Sequence, residues 1–202
     1  MKHASTRKLF EYWNRQRGSR SAPARSDIDP GDISQVLGDT FMLSADFTEE
    51  SRFRLAGTRV CALFGRELKG ESFCSLWNEE SSAPIGDIVT AAMNESIGTV
   101  AGIAGRTKTN DVVELEMLLL PIASDGQTRL RAFGGLAAQV LPYWLYAEPL
   151  VELEVASLRH IDVDRDRHAR GRYRLRRGDS RTRHGFLVYD GGRSSSPRGS
   201  AG

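Results

Sequence analysis

Hydrophobic positions recur along the chain at two spacings, and the switch between them separates helices from strands. Near the start, Leu9, Tyr12, Trp13 and Gln16 fall at helical spacing, with Ser5 or Thr6 placed to cap the beginning and Arg15, Arg17 and Gly18 suited to the end. Burying Phe10 and Trp13 contributes on the order of several kcal/mol wherever a surface meets them. That surface belongs either to the domain or to a second subunit, so Leu9, Phe10 and Trp13 are the candidate dimer face. After a polar linker, Asp29 and Pro30 supply the cap and first turn of a second short helix over 30–37, with Ile33, Val36 and Leu37 apolar and Gly38 closing it. Residues 40–47 read as a buried strand and 48–51 as a polar turn, and 52–56 alternate charged and apolar side chains, which together make a hairpin. Gly57 and Thr58 end it and open a one- or two-turn helix to Phe64, with Gly65 at its C-terminal cap; Ser72 caps a further piece over 73–77. Such pieces are too short to stand alone and must be held against a sheet.

The longest helix follows Ser81-Ser82-Ala83-Pro84, with Ile85, Ile88, Val89, Ala92, Met93 and Ser96 on one face and Gly98 at its end. Strands are expected over 99–108, 112–120 and 129–140, joined at Thr109-Asn110-Asp111 and Ser124-Asp125-Gly126-Gln127. Short joins make antiparallel neighbours. The order predicts an α+β fold, a five-stranded antiparallel sheet with helices on one face, and disfavours a doubly wound nucleotide-binding fold. It divides the chain into N-terminal helices over 1–38, a core over 39–141, an extension over 142–162 and a tail over 163–202. In the extension, Pro142-Tyr143-Trp144-Leu145-Tyr146 is an aromatic cluster and 150–155 alternates apolar and acidic residues; either packs back on the sheet or covers a partner. The tail is expected to be disordered over 164–183, with a short docking strand at 186–189 and low complexity after it.

Composition narrows the class without naming a reaction. With 40% hydrophobic and 27% charged residues in 202, the chain reads as a soluble globular protein. The formal net charge of +2 conceals a division: residues 1–162 hold 17 basic and 22 acidic side chains, whereas 163–202 holds 11 arginines and 4 aspartates. The arginines raise nucleic-acid binding through the tail as the less favoured alternative, since the acidic body opposes approach and no recognition helix is evident. No apolar run approaches the ~18–20 residues that cross a bilayer, and no secretory signal is evident, so a cytoplasmic protein without membrane contact is expected. Cys61 and Cys74 lack C-x-x-C spacing and read as buried reduced thiols. Residues 65–72 have the glycines and serine of a phosphate-binding loop but place Glu71 where the lysine belongs. Glu114 and Glu116 alternate with Val113, Leu115 and Met117, as a solvated sheet face does, rather than forming an acid–base pair. The histidines, His3, His160, His168 and His184, all lie outside the expected core. No catalytic residue, cofactor ligand or metal ligand is predicted, and the chain is not expected to be an enzyme.

The order strand, strand, short helices, helix, strand, strand, strand resembles that of PAS domains. In detail, the Tyr12-Trp13 pair, Asp27-Ile28-Asp29-Pro30, Arg52-Phe53-Arg54-Leu55-Ala56-Gly57-Thr58, and Gly65-Arg66-Glu67-Leu68 with Gly70 are similar to a compact PAS family known mainly from alphaproteobacteria. The R-L-A-G-T box is the most specific part, and the likeness spans roughly 9–140. It implies a cytoplasmic sensory or regulatory module; regulation of a signalling protein partner by contact is the expectation built on it, with a homodimer through the N-terminal helix as the linked one. Haem is disfavoured because the core lacks a histidine, and flavin photochemistry because Cys61 lacks its usual flanking residues. An apolar pocket between the long helix and the sheet is expected to be lined by Phe41, Leu43, Leu55, Trp77, Val89, Met93 and Met117.

Overall fold

The computed structural model describes residues 1–46, 50–123 and 129–161, all within one compact unit. The turn expected at 124–127, the first half of that at 48–51 and every reading of the tail lie outside the described residues. Helix α1 (Ala4–Arg17) leads through three 3-10 turns, Arg25–Asp27, Pro30–Ile33 and Leu37–Asp39, into strands β1 (Thr40–Asp46) and β2 (Arg52–Ala56). Helix α2 (Thr58–Phe64), a 3-10 turn at Cys74–Leu76 and helix α3 (Glu79–Asn94) follow, and then strands β3 (Gly98–Thr107), β4 (Val112–Ile122), β5 (Arg129–Ala138) and β6 (Leu150–Ile161).

The sheet has six strands in the order β2-β1-β5-β4-β3-β6, every neighbour antiparallel. The expectation of five strands is thereby corrected. The alternating segment after Leu150 is the sixth, running along β3 from Thr107↔Leu150 to Gly98↔Ile161. The start of α3 is stitched to it: Asn78 N–H donates to the Leu153 carbonyl at 2.9 Å, and the Ser81 hydroxyl accepts from Val155 N–H at 3.1 Å. That tie explains why α3 begins earlier than its apolar face does. Asn78 caps it by accepting from Ser81 N–H at 2.8 Å, and Pro84 sits inside the helix. The helix also ends before Gly98, at Asn94, with Ser96 turning the chain at φ 57°.

Helices cover both faces of the sheet, not one. On the inner face, α2 and α3 bury Val60, Leu63, Ile85, Val89 and Ala92 against Leu43, Ile103, Leu115, Met117 and Leu119. On the outer face, α1 and the 3-10 segment bury Leu9, Trp13, Ile28, Ile33 and Val36 against Met42, Leu118, Leu120, Ile122 and Phe133. A continuous apolar run such as 117–120 is what a strand buried on both faces requires. Strand β4 also passes Pro121 rather than stopping before it: β3 pairs only as far as Leu119, so beyond that point β4 has β5 as its one neighbour and tolerates a residue without an N–H. The second expected helix is replaced by two 3-10 turns. Asp29 does cap the first, accepting from Gly31 N–H at 2.8 Å, but so short a segment holds its shape through the burial of Ile33 and Val36.

Candidate functional site

Of the residues expected to line an apolar pocket, Phe41, Leu43, Trp77, Val89, Met93 and Met117 come together in the inner core, none more than 9% exposed. Leu55 does not join them: it is 50% exposed. The inner group is densely packed around an aromatic chain in which Phe41, Phe53, Phe73 and Trp77 follow one another at centroid spacings of 5.8, 5.4 and 5.7 Å. Trp77 Nε1 is the one buried side-chain nitrogen or oxygen among the described residues that has no hydrogen-bond partner. The proposed dimer face is also corrected: Leu9 and Trp13 are buried by the chain's own sheet, at 1% and 0% exposure, and the Trp13 indole N–H donates to the Pro121 carbonyl at 2.7 Å. Only Phe10, stacked on Trp13 at 6.1 Å, is partly accessible. The aromatic side chains of α1 thus find their partner within the domain.

Glu114 and Glu116 share the outer face of β4, as their spacing requires, but only Glu114 is exposed. Glu116 is 5% exposed beneath the start of α1. Its carboxylate accepts from Lys2 N–H at 2.6 Å, from His3 N–H at 3.0 Å and from the Thr6 hydroxyl. Burial raises its pKa, yet the Thr6 hydroxyl and the two backbone N–H groups outweigh that and hold it below the usual carboxylate range. The sequence contained one signal for this. The face that carries Glu116 continues into Leu118, Leu120 and Ile122, too apolar to face water.

A cleft of about 560 Å³ opens between the 3-10 segment and the β1–β2 hairpin. Its apolar walls are Ile28, Ile33, Phe41, Met42, Leu55 and Phe133, and Thr40, Thr58 and Arg59 add polar groups. The R-L-A-G-T box builds one side. Gly57 N–H donates to the Thr40 carbonyl at 2.7 Å, and the backbone there passes so close to Leu37 and Gly38 that any Cβ would be driven into their carbonyl oxygens. Gly57 is extended (φ −70°), so glycine is demanded by space and not by backbone conformation. Arg59, on the first turn of α2, forks onto Asp39 at 2.5 and 2.9 Å, and Asp39 also accepts from the Ser5 hydroxyl at 2.6 Å. One carboxylate therefore ties α1, the last 3-10 turn and α2 together beside the cleft.

A second cavity of about 450 Å³ shares Arg25, Met42 and Leu55 with the first and adds Arg54, Lys69 and Arg131. The pairings Met42↔Leu55 and Leu43↔Phe53 skip Arg54, a β-bulge that leaves the consecutive residues Arg54 and Leu55 both exposed. Arg131 lies two residues from Phe133 along β5, and Phe133 pairs with Met42. Arg25 comes from the first 3-10 turn and Lys69 from the segment after α2. The side chains of Arg54, Lys69 and Arg131 make no hydrogen bond or ion pair among the described residues. Sequence reasoning missed this grouping, since residues 25, 54, 69 and 131 come from separate segments that meet only in the fold, Arg54 and Arg131 through the sheet order and the bulge, Arg25 and Lys69 from a 3-10 turn and a loop packed beside it.

Neither thiol is set up for nucleophilic work. Burial pushes the Cys61 thiol up, with Glu67 adding to the shift, and burial followed by Glu50 does the same at Cys74. Among the described residues no three His, Cys, Asp or Glu side chains converge as metal ligands would.

A family model described as PAS domain matches residues 1–137. The chain belongs to the PAS domain family. Solved structures similar to this PAS chain include a fungal LOV domain photoreceptor, 14% identical over 56% of this chain and 94% of that one, with a TM-score of 0.40. A PAS domain from Colwellia psychrerythraea is 15% identical over 55% and 97% of the two chains, at a TM-score of 0.39. The PAS domain of Bordetella pertussis BvgS is 14% identical over 59% and 93%, at 0.40. No curated protein matches the chain. The matched span takes in α1, the Glu116 cap and all four cations of the second cavity, whereas β6 lies beyond its end. Among the described residues no helix of this PAS domain is long and apolar enough to cross a membrane.

Proposed function

We propose that this PAS domain is a non-enzymatic sensory or regulatory module that acts by contact with a signalling protein. Family membership supports the sensory class. The observation that carries the contact is the connection between β5 and β6, where Val140, Leu141, Tyr143 and Tyr146 are 73%, 66%, 99% and 40% exposed while Leu145 anchors the segment in the core. An exposed group of large apolar side chains held on a fixed anchor is a surface suited to a protein partner. The cytoplasm is the compartment this reading assigns, supported by the free thiols Cys61 and Cys74.

The test places a photo-cross-linking amino acid at position 143 in the native host, with position 108 as an exposed control. One discrete signalling protein captured at 143 and absent at 108, together with a Tyr143→Glu variant that reproduces the deletion phenotype, supports the reading. Equal capture at both positions, or a Tyr143→Glu variant indistinguishable from the parent, overturns it. The homodimer expected through α1 is proposed instead through this surface, read by sedimentation of the parent and the Tyr143→Glu variant. The alternative, nucleic-acid association through the tail, is favoured by its 11 arginines and requires duplex binding that weakens steeply with salt.

A further inference from the structure

We propose that the two adjoining cavities on the outer face form one binding site for a small anionic amphiphile, a molecule with a phosphate or carboxylate head and an apolar body. The inference stands apart from the contact reading, since it needs only the geometry of the cleft. The head faces Arg25, Arg54, Lys69 and Arg131, which line a cavity of about 450 Å³ that no carboxylate among the described residues lines. Four like charges drawn from four separate segments repel one another, and an anion among them converts that repulsion into attraction. Three of the four spend no hydrogen bond on the described residues, so a ligand takes nothing away from the fold.

The apolar body lies in the adjoining cleft of about 560 Å³, on the row that the sheet register builds from Leu55, Met42 and Phe133. That volume is in the range of sites for single small molecules. Leu55 is the joint between the two halves: it lines both cavities and is half exposed, with its charged neighbour Arg54 turned outward beside it by the bulge. A nucleic-acid strand has no use for the apolar row, and an uncharged lipid has none for the cations. A molecule carrying both chemistries uses the whole cleft.

The experiment is calorimetric titration of the full chain with monomeric decyl phosphate, inorganic phosphate and 1-decanol, alongside sedimentation with vesicles containing phosphatidic acid. The proposal expects saturable one-to-one binding of decyl phosphate, with phosphate and decanol each at least about tenfold weaker. Arg54→Gln combined with Lys69→Gln is expected to weaken decyl phosphate by about 10- to 100-fold. Because both side chains are exposed and make no pair among the described residues, and because their removal relieves repulsion, the unliganded thermal midpoint should not fall, and Lys108→Gln should bind as the parent does. Phosphate binding as tightly as decyl phosphate would reduce the site to a plain anion site and overturn the proposal. So would vesicle binding without binding of the monomeric amphiphile, which would assign the cations to a membrane surface. Decyl phosphate binding unaltered by the double substitution would equally overturn it.

Discussion

Replacing Glu116 by Gln exchanges one carboxylate oxygen for an NH2 group and tests how α1 is fastened to the sheet. The carboxylate sits where three donors converge, Lys2 N–H and His3 N–H on the backbone and the Thr6 hydroxyl, and both of its oxygens accept. An amide keeps one acceptor and turns the other position into a donor, which then faces a backbone N–H whichever way it is flipped. Losing one charge-assisted bond and leaving one N–H unmatched in a half-buried place costs about 2–4 kcal/mol. The assay is urea unfolding at neutral pH followed by tryptophan fluorescence, because Trp13, fully buried under α1, enters water when the helix lifts. Glu114→Gln, on the same face of β4 but exposed, should leave the midpoint unmoved. The effect also carries a pH signature. Because the folded pKa of Glu116 lies below its ordinary value of 4.5, the unfolded chain binds more protons in the window beneath that value, and stability falls as pH drops through it. The gap between parent and variant should therefore be constant above about pH 5 and narrow below it. A gap smaller than about 0.5 kcal/mol at neutral pH, within the range of ordinary surface substitutions, would refute the reasoning. So would a gap that does not narrow in acid.

Three further outcomes are expected. Gly57→Ala forces a methyl group against the carbonyls of Leu37 and Gly38 and should cost about 2–3 kcal/mol in chemical denaturation, although the backbone angles suit alanine. Trp13→Phe strands the Pro121 carbonyl and leaves a void in the outer cluster; a loss of about 2–3 kcal/mol, read from the urea midpoint, checks it. Asn78→Ala removes the cap of α3 and should lower stability by about 1 kcal/mol, with faster amide exchange at Ser81 as the local readout.

How much was legible follows from how local each signal is. The alternation in 52–56, the glycine and asparagine turns, and the amphipathic face of α3 each depend on a few neighbouring residues, and the structure places β2, the β3–β4 turn and α3 where those signals stand. Gly65 takes the left-handed cap its position called for, at φ 63°. Strand β6 was visible as an alternation, but its pairing partner was not, because Leu150 and Thr107 meet only after the β5–β6 connection folds back. The same period of two placed Glu114 and Glu116 on one face correctly. Whether that face meets water or a helix depends on where α1 docks, more than 100 residues away in the chain.

By itself, then, the sequence determined most of the element types, the antiparallel joins and the likeness to a PAS domain. Each rests on short-range periodicity, capping chemistry or residue type. Only the tertiary structure decided that α1 belongs to the outer face, that Leu55 leaves the core, that Glu116 is a buried cap, and that Arg25, Arg54, Lys69 and Arg131 share one cavity. The physical reason is that burial and charge proximity are properties of surfaces that meet, and here they meet through a sheet whose order, β2-β1-β5-β4-β3-β6, brings distant segments side by side, and through a one-residue bulge that turns Arg54 outward.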